Sequence, residues 1–166
     1  MTPPILSIVG RSNSGKTTLM ERLIRRLSDQ GLRIATIKHS HHQPELDQPG
    51  KDSWRHKQAG AGASFLIGPQ QMLMVADHAQ VPTPNLLASL YGTNFELVLV
   101  EGYSSLPGAK IEILRAARSS TLRCDPTELL AIVTDVEGLP PKPPQFALDD
   151  VTAIANFVRE WMGRGC

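Results

Sequence analysis

At 166 residues, 41% of them hydrophobic and 20% charged, the chain carries enough apolar material for one domain with its own core, which argues against disorder and against dependence on staples. Seventeen basic and sixteen acidic residues leave a formal net charge of +1, too little to hold the chain on nucleic acid or an anionic membrane through a global field. The two cysteines, Cys124 and Cys166, lie far apart, no apolar run approaches the roughly 20 residues of a membrane span, and the N-terminus lacks a secretion signal, so a cytoplasmic protein is expected.

In chain order, Ile5-Leu6-Ser7-Ile8-Val9 is a short β-branched apolar run that reads as a buried first strand, ending at Gly10. After a polar turn, Leu19, Met20, Leu23, Ile24 and Leu27 recur at helical spacing, and Gly31 falls where a helix C-cap belongs. A second strand over Arg33 to Lys38 completes a strand–helix–strand unit, whose crossover is right-handed and parallel. Ser64–Ile67 and Met72–Ala76 flank Gly68-Pro69-Gln70-Gln71 and read as a hairpin inserted into the alternation. Pro82 to Tyr91 reads as a short helix, and Leu97–Val100, Lys110–Leu114 and Leu129–Val133 as further strands, for a sheet of about six. The prolines at 140, 141, 143 and 144 form a stiff connector. Asp149 or Asp150 then caps a last helix bearing Val151, Ile154, Ala155, Val158, Trp161 and Met162. The expected fold is α/β: a three-layer P-loop NTPase-type sheet, mostly parallel, with an inserted β-hairpin, in one domain over residues 1–166.

The strongest chemical signal is Gly10-Arg11-Ser12-Asn13-Ser14-Gly15-Lys16-Thr17, which satisfies G-x-x-x-x-G-K-[ST] between a strand and a helix. Glycines at these positions let backbone N–H groups turn inward as an anion nest, and the helix adds its positive N-terminal end. Lys16 reaches the β- and γ-phosphates and the Thr17 hydroxyl ligates Mg²⁺. Thr17 alone does not fix the metal, and Glu101, at the C-terminal end of the run Leu97-Val98-Leu99-Val100, is the carboxylate placed where α/β sheets bind ligands; Glu96 opens the same run and is expected to be solvated. Asp52 precedes a helical stretch and is either a second metal-side carboxylate or an N-cap. Lys38-His39-Ser40-His41-His42 follows the second strand. It admits three readings: ligand contacts by Lys38 and His39, a zinc half-site with Cys124 or His56 completing it, or a solvated turn. Arg55, His56 and Lys57 supply further positive charge.

The order of the P-loop with Thr17-Thr18, Lys38-His39-x-His41-His42, Gly50-Lys51-Asp52-Ser53 and Val100-Glu101-Gly102 resembles the MobB family over nearly the whole chain. The likeness extends to Ala59-Gly60-Ala61, Lys110-Ile111-Glu112-Ile113, Ala131-Ile132-Val133-Thr134-Asp135 and the final Phe157-Val158-Arg159-Glu160-Trp161-Met162. The resemblance implies a GTP-binding protein with low intrinsic GTPase activity and a homodimer helped by the hairpin. It also implies an accessory of the guanylyltransferase MobA, which attaches GMP to molybdopterin. By position it gives Gly10 to Thr17, with Thr18, the nucleotide, and Glu101 and Asp52 the metal or the attacking water. Arg11 stands where a small or apolar residue is expected, its charge read as exposed. Asp135, closing an apolar strand, has the placement of a side chain that accepts from guanine N1 and N2, and equally that of a turn residue. A small-molecule kinase and a metallochaperone-type nucleotide switch are the alternative functions.

Overall fold

The structure, a computed structural model, describes residues 2–40, 48–91 and 94–164. They fall into two compact units, one built from residues 1–39 and 83–166 and a smaller one from residues 40–82.

The larger unit is a six-stranded parallel sheet, with β1 (Ile5–Gly10), β2 (Ile34–Lys38), β5 (Leu97–Glu101), β6 (Ala109–Leu114), β7 (Leu129–Thr134) and β8 (Gln145–Phe146) in the order β2-β5-β1-β6-β7-β8. The central strands β5 and β7 read as continuous apolar runs because both of their faces are covered. Leu6, Ile8, Leu97, Leu99, Ile111, Ile113, Ala131 and Val133 pack on one face with Leu19, Met20, Leu23 and Leu27 of α1 (Lys16–Asp29). Ile154, Ala155 and Val158 of α4 (Val151–Gly163) join the same cluster. Val98 and Val100 turn the other way, onto Ala88 of α3 (Pro84–Tyr91), and Val9, Leu114, Leu129 and Ile132 form a further cluster with Leu122 and Leu139.

Local signals end the helices where the sequence places them. Leu32 N–H donates to Leu27 O at 3.1 Å and Gly31 N–H to Ser28 O at 2.9 Å, a Schellman closure that requires the positive φ of 88° at Gly31. Asp150 Oδ1 accepts from Ala153 N–H at 3.0 Å and caps α4. The strand β8 was not visible in the sequence: the proline connector ends in these two residues, which pair with Ile132 and Val133 of β7.

Two charged residues sit inside the sheet. Lys110, 2% exposed, pairs with Glu128 Oε2 at 2.6 Å. Glu112, 1% exposed, accepts from Arg123 N–H at 2.6 Å and Cys124 N–H at 2.9 Å, tying the segment that leads into β7 back to β6.

The smaller unit holds α2 (Asp52–Gln58) and an antiparallel hairpin of β3 (Ala63–Ile67) and β4 (Met72–Ala76), a two-stranded sheet of its own. Lys57 Nζ closes it, donating to Ala61 O at 2.6 Å and Asp77 Oδ2 at 2.7 Å. Among the described residues no helix is long and apolar enough to cross a membrane.

Candidate functional site

The loop between β1 and α1 is shaped by three residues in left-handed or related conformations: Gly10 (φ 144°), Asn13 (φ 58°) and Gly15 (φ 101°). Such alternation turns successive N–H groups to one side, an anion-binding concavity at a helix N-terminus. Gly10 admits no other residue, since a Cβ there would stand 2.6 Å from Ile113 O and 2.9 Å from Ser14 Oγ. The loop also contains an unmet hydrogen-bonding demand. Ser14 is 2% exposed, and its Oγ is a buried side-chain oxygen with no hydrogen-bond partner among the described residues. A buried hydroxyl in that state costs about 1–3 kcal/mol, which a phosphate oxygen in the loop would offset.

Lys16 spans the loop, its Nζ donating to Gly10 O at 3.1 Å and to Arg11 O at 2.6 Å. Burial draws the Lys16 pKa below the ordinary lysine value; Glu101 opposes that shift, while Arg123 and Lys38 add to it. An ammonium crowded by two other cations favours the arrival of an anion.

On the β5 side, Thr17 Oγ1 donates toward Glu101, 3.0 Å from Oε1 and 3.1 Å from Oε2. Register explains the meeting: Glu101 ends β5, opposite Ile8 of β1 and Lys38 of β2, so it emerges at the same sheet edge as the loop. Lys38 Nζ lies 3.6 Å from Glu101 Oε1. His39 N–H donates to Glu101 O at 3.2 Å, and the His39 ring lies 4.5 Å from that of Tyr103, centroid to centroid. A hydroxyl and a carboxylate, both hard oxygen donors within reach of one another beside a phosphate loop, fit Mg²⁺. That ion takes one or two protein oxygens and completes its octahedron with phosphate and water.

The sequence-predicted residues thus divide. Gly10 to Thr17, Lys38, His39 and Glu101 come together at the C-terminal edge of the sheet. Ser12 and Thr18 are exposed, as is Arg11, whose guanidinium reaches Thr121 Oγ1 at 3.5 Å. Asp135 Oδ1 accepts from Ala116 N–H at 2.6 Å, tying the ends of β6 and β7. Asp52 belongs to the smaller unit. It is the first residue of α2 and not its N-cap, which is Lys51, and it lies 3.8 Å from Arg55. His41 and His42 lie outside the described residues. Glu96 is exposed, as expected, and is held by Arg33 N–H at 3.0 Å. Arg115 was missed: its Nη1 would lie 4.0 Å from a Cβ on Gly15. It follows the end of β6 as Glu101 ends β5, and the same edge rule that selects Glu101 would have found it.

A parallel sheet in this order, with a glycine loop, lysine and threonine between β1 and α1 and a carboxylate ending the neighbouring strand, defines an α/β protein of the P-loop class. Residues 5–135 match the family model of molybdopterin guanine dinucleotide synthesis protein B, and the chain belongs to this MobB family. It is 35% identical over 162 residues to a molybdopterin-guanine dinucleotide biosynthesis adapter protein of Haemophilus influenzae, covering 96% of this chain and 89% of the relative. An Escherichia coli protein of the same description is 33% identical over 165 residues, covering 96% and 93%. The crystal structure of Bacillus subtilis MobB superposes with a TM-score of 0.77 at 29% identity, over 95% of this chain and 97% of that one.

Proposed function

We propose that this chain binds GTP with Mg²⁺, hydrolyses it slowly, and serves in the cytoplasm as the adapter that assists MobA in joining GMP to molybdopterin. The observation that carries the reading is the Thr17–Glu101 contact beside the glycine loop, in a chain whose relatives are described as molybdopterin-guanine dinucleotide biosynthesis adapters. The loop N–H groups and Ser14 Oγ hold phosphate oxygens, and Lys16 exchanges its two carbonyl partners for the β- and γ-phosphates. Thr17 and Glu101 hold the metal. Asp52 is assigned to the metal or the water by the family resemblance.

Hydrolysis proceeds by attack of water on the γ-phosphorus with cleavage of its bond to the β–γ bridging oxygen, releasing GDP and phosphate. The contribution of these residues is position and charge: Lys16 and the loop amides neutralise negative charge spreading onto the γ-oxygens and the bridge. Thr17 and Glu101 would hold Mg²⁺, which would supply further neutralisation of the phosphate charge. Slow turnover follows where the arginine that such enzymes take from a partner, worth about 10³–10⁵ in rate, is not in place.

The hairpin supports a homodimer. Phe65 (54% exposed), Ile67 (76%) and Met72 (54%) stand on one of its faces, as the pairings Phe65↔Met74 and Ile67↔Met72 require. An exposed apolar face of this kind marks a protein contact.

The test is reconstitution with purified guanylyltransferase, molybdopterin and Mg·GTP. The chain should raise the yield of guanine dinucleotide cofactor, and Lys16→Ala should not. Equal yield with and without the chain, or equal stimulation by Lys16→Ala, contradicts the reading.

A further inference from the structure

Thr17 and Glu101 mark one end of the phosphate loop. A metal held by Thr17 and Glu101 would neutralise the terminal phosphates, so a triphosphate bound in the loop would point its terminal phosphate toward β5 and its nucleoside away from it. The strand order places β5 on one side of β1 and β6, β7 and β8 on the other. On that other side, sharing Ser14 and Gly15 with the phosphate loop, lies a concavity of about 220 Å³. Pockets for whole drug-sized ligands run to about 300–1,000 Å³, so this one suits a single ring system.

Its composition suits a base. Ile113, Val133 and Leu148 supply apolar surface, Thr18 and Arg22 border it from α1, and Arg22, Arg115 and Asp149 supply charge, Asp149 being the one carboxylate among the described residues of the lining. The Arg115 guanidinium lies over Gly15, at the junction of the concavity and the phosphate loop. A planar guanidinium stacks on aromatic faces and pairs with phosphate, so it serves either neighbour of the sugar. An ionised carboxylate only accepts hydrogen bonds. Guanine presents two adjacent donors, N1–H and its exocyclic amine, which a carboxylate takes in parallel. Adenine sets an acceptor at N1 beside its amine, so one carboxylate oxygen would face a lone pair. Asp135 engages the chain through one oxygen, Oδ1 accepting from Ala116 N–H at 2.6 Å, which fixes the carboxylate across the ends of β6 and β7.

We propose that the concavity between α1 and the β6, β7 and β8 ends receives the guanine base, and that Asp149 reads it. The proposal rests on the GTP reading above and states where its specificity resides.

Xanthosine triphosphate separates the alternatives, because xanthine carries a carbonyl where guanine carries the amine, and an asparagine amide can donate to it. Calorimetric titrations with Mg·GTP, Mg·XTP and Mg·ATP are run on the whole chain, on Asp149→Asn and on Lys16→Ala. Asp149→Asn should lose about ten- to hundredfold in GTP affinity and gain by a similar factor for XTP, the worth of one bidentate base contact. A gain of XTP binding also shows that the variant is folded. Unchanged GTP and XTP affinities in Asp149→Asn, or the same exchange produced by Asp135→Asn, overturns the proposal. GTP and ATP bound alike by the unaltered chain, both lost in Lys16→Ala, overturns base reading at Asp149 and leaves the phosphate site intact. No triphosphate binding by the unaltered chain overturns the GTP reading itself.

Discussion

Thr17 Oγ1 sits 3.0 Å from Glu101 Oε1 although 84 positions separate the two in sequence. The parallel pairing of β1 with β5 makes this contact, setting Glu101 opposite Ile8 just before the phosphate loop. A carboxylate held against the Thr17 hydroxyl both orients it and faces the position proposed for the cation. Glu101→Gln keeps the shape and removes the charge. The affinity for Mg·GTP should fall about 10–100-fold, the usual cost of weakening a metal's support, while metal-free GTP binding changes little or improves. Titration of GTP at varied Mg²⁺ checks this.

Gly10→Ala should fail for steric reasons. Its φ of 144° is strained for any L side chain, and the new Cβ would meet Ile113 O at 2.6 Å, a backbone atom of a central strand. Strain and overpacking together should cost about 2–4 kcal/mol, read as a lower urea midpoint, with nucleotide binding lost in whatever remains folded.

The lowered pKa of Lys16 gives binding a pH dependence. Phosphate favours the ammonium and raises its pKa in the complex, so affinity is full below the free-state pKa and declines as pH rises through it. Because burial sets that free-state value below the ordinary lysine value, the decline should begin at lower pH than in Lys16→Arg, whose guanidinium stays charged. GTP titrations from neutral to alkaline pH on both proteins measure the difference. Identical profiles would assign the dependence to another group.

Glu112 predicts a stability effect remote from ligands. Glu112→Ala leaves the N–H groups of Arg123 and Cys124 without their acceptor and should destabilise by about 1–3 kcal/mol, with Glu112→Gln losing less because one acceptor oxygen stays. Equilibrium unfolding in urea distinguishes the two.

What was legible in the sequence was local or periodic. The glycine–lysine–threonine spacing, the helix capped by Asp150 and the hairpin around Gly68-Pro69 all depend on neighbours within a few residues. Glu101 was legible because a buried parallel strand announces its end by the end of its apolar run. Less visible features require the sheet itself. β8 is two residues long, too short for any period, and exists because β7 offers it an edge. Lys110 and Glu112 alternate with isoleucines, a pattern that ordinarily marks a wet face, yet both are buried because Glu128 and two loop amides answer them. Arg115 and Asp149 reach the concavity beside Gly15 from chain positions that only the strand order brings near.

Mg²⁺-dependent binding of a triphosphate by the loop over Gly10–Thr17 is measured most directly by titrating the chain with a fluorescent GTP analogue, with and without Mg²⁺, beside Lys16→Ala. Saturable binding that strengthens with Mg²⁺ and falls at least about tenfold in a Lys16→Ala protein of unchanged circular dichroism is the predicted result. Equal affinity in the two proteins, or binding indifferent to Mg²⁺, contradicts it.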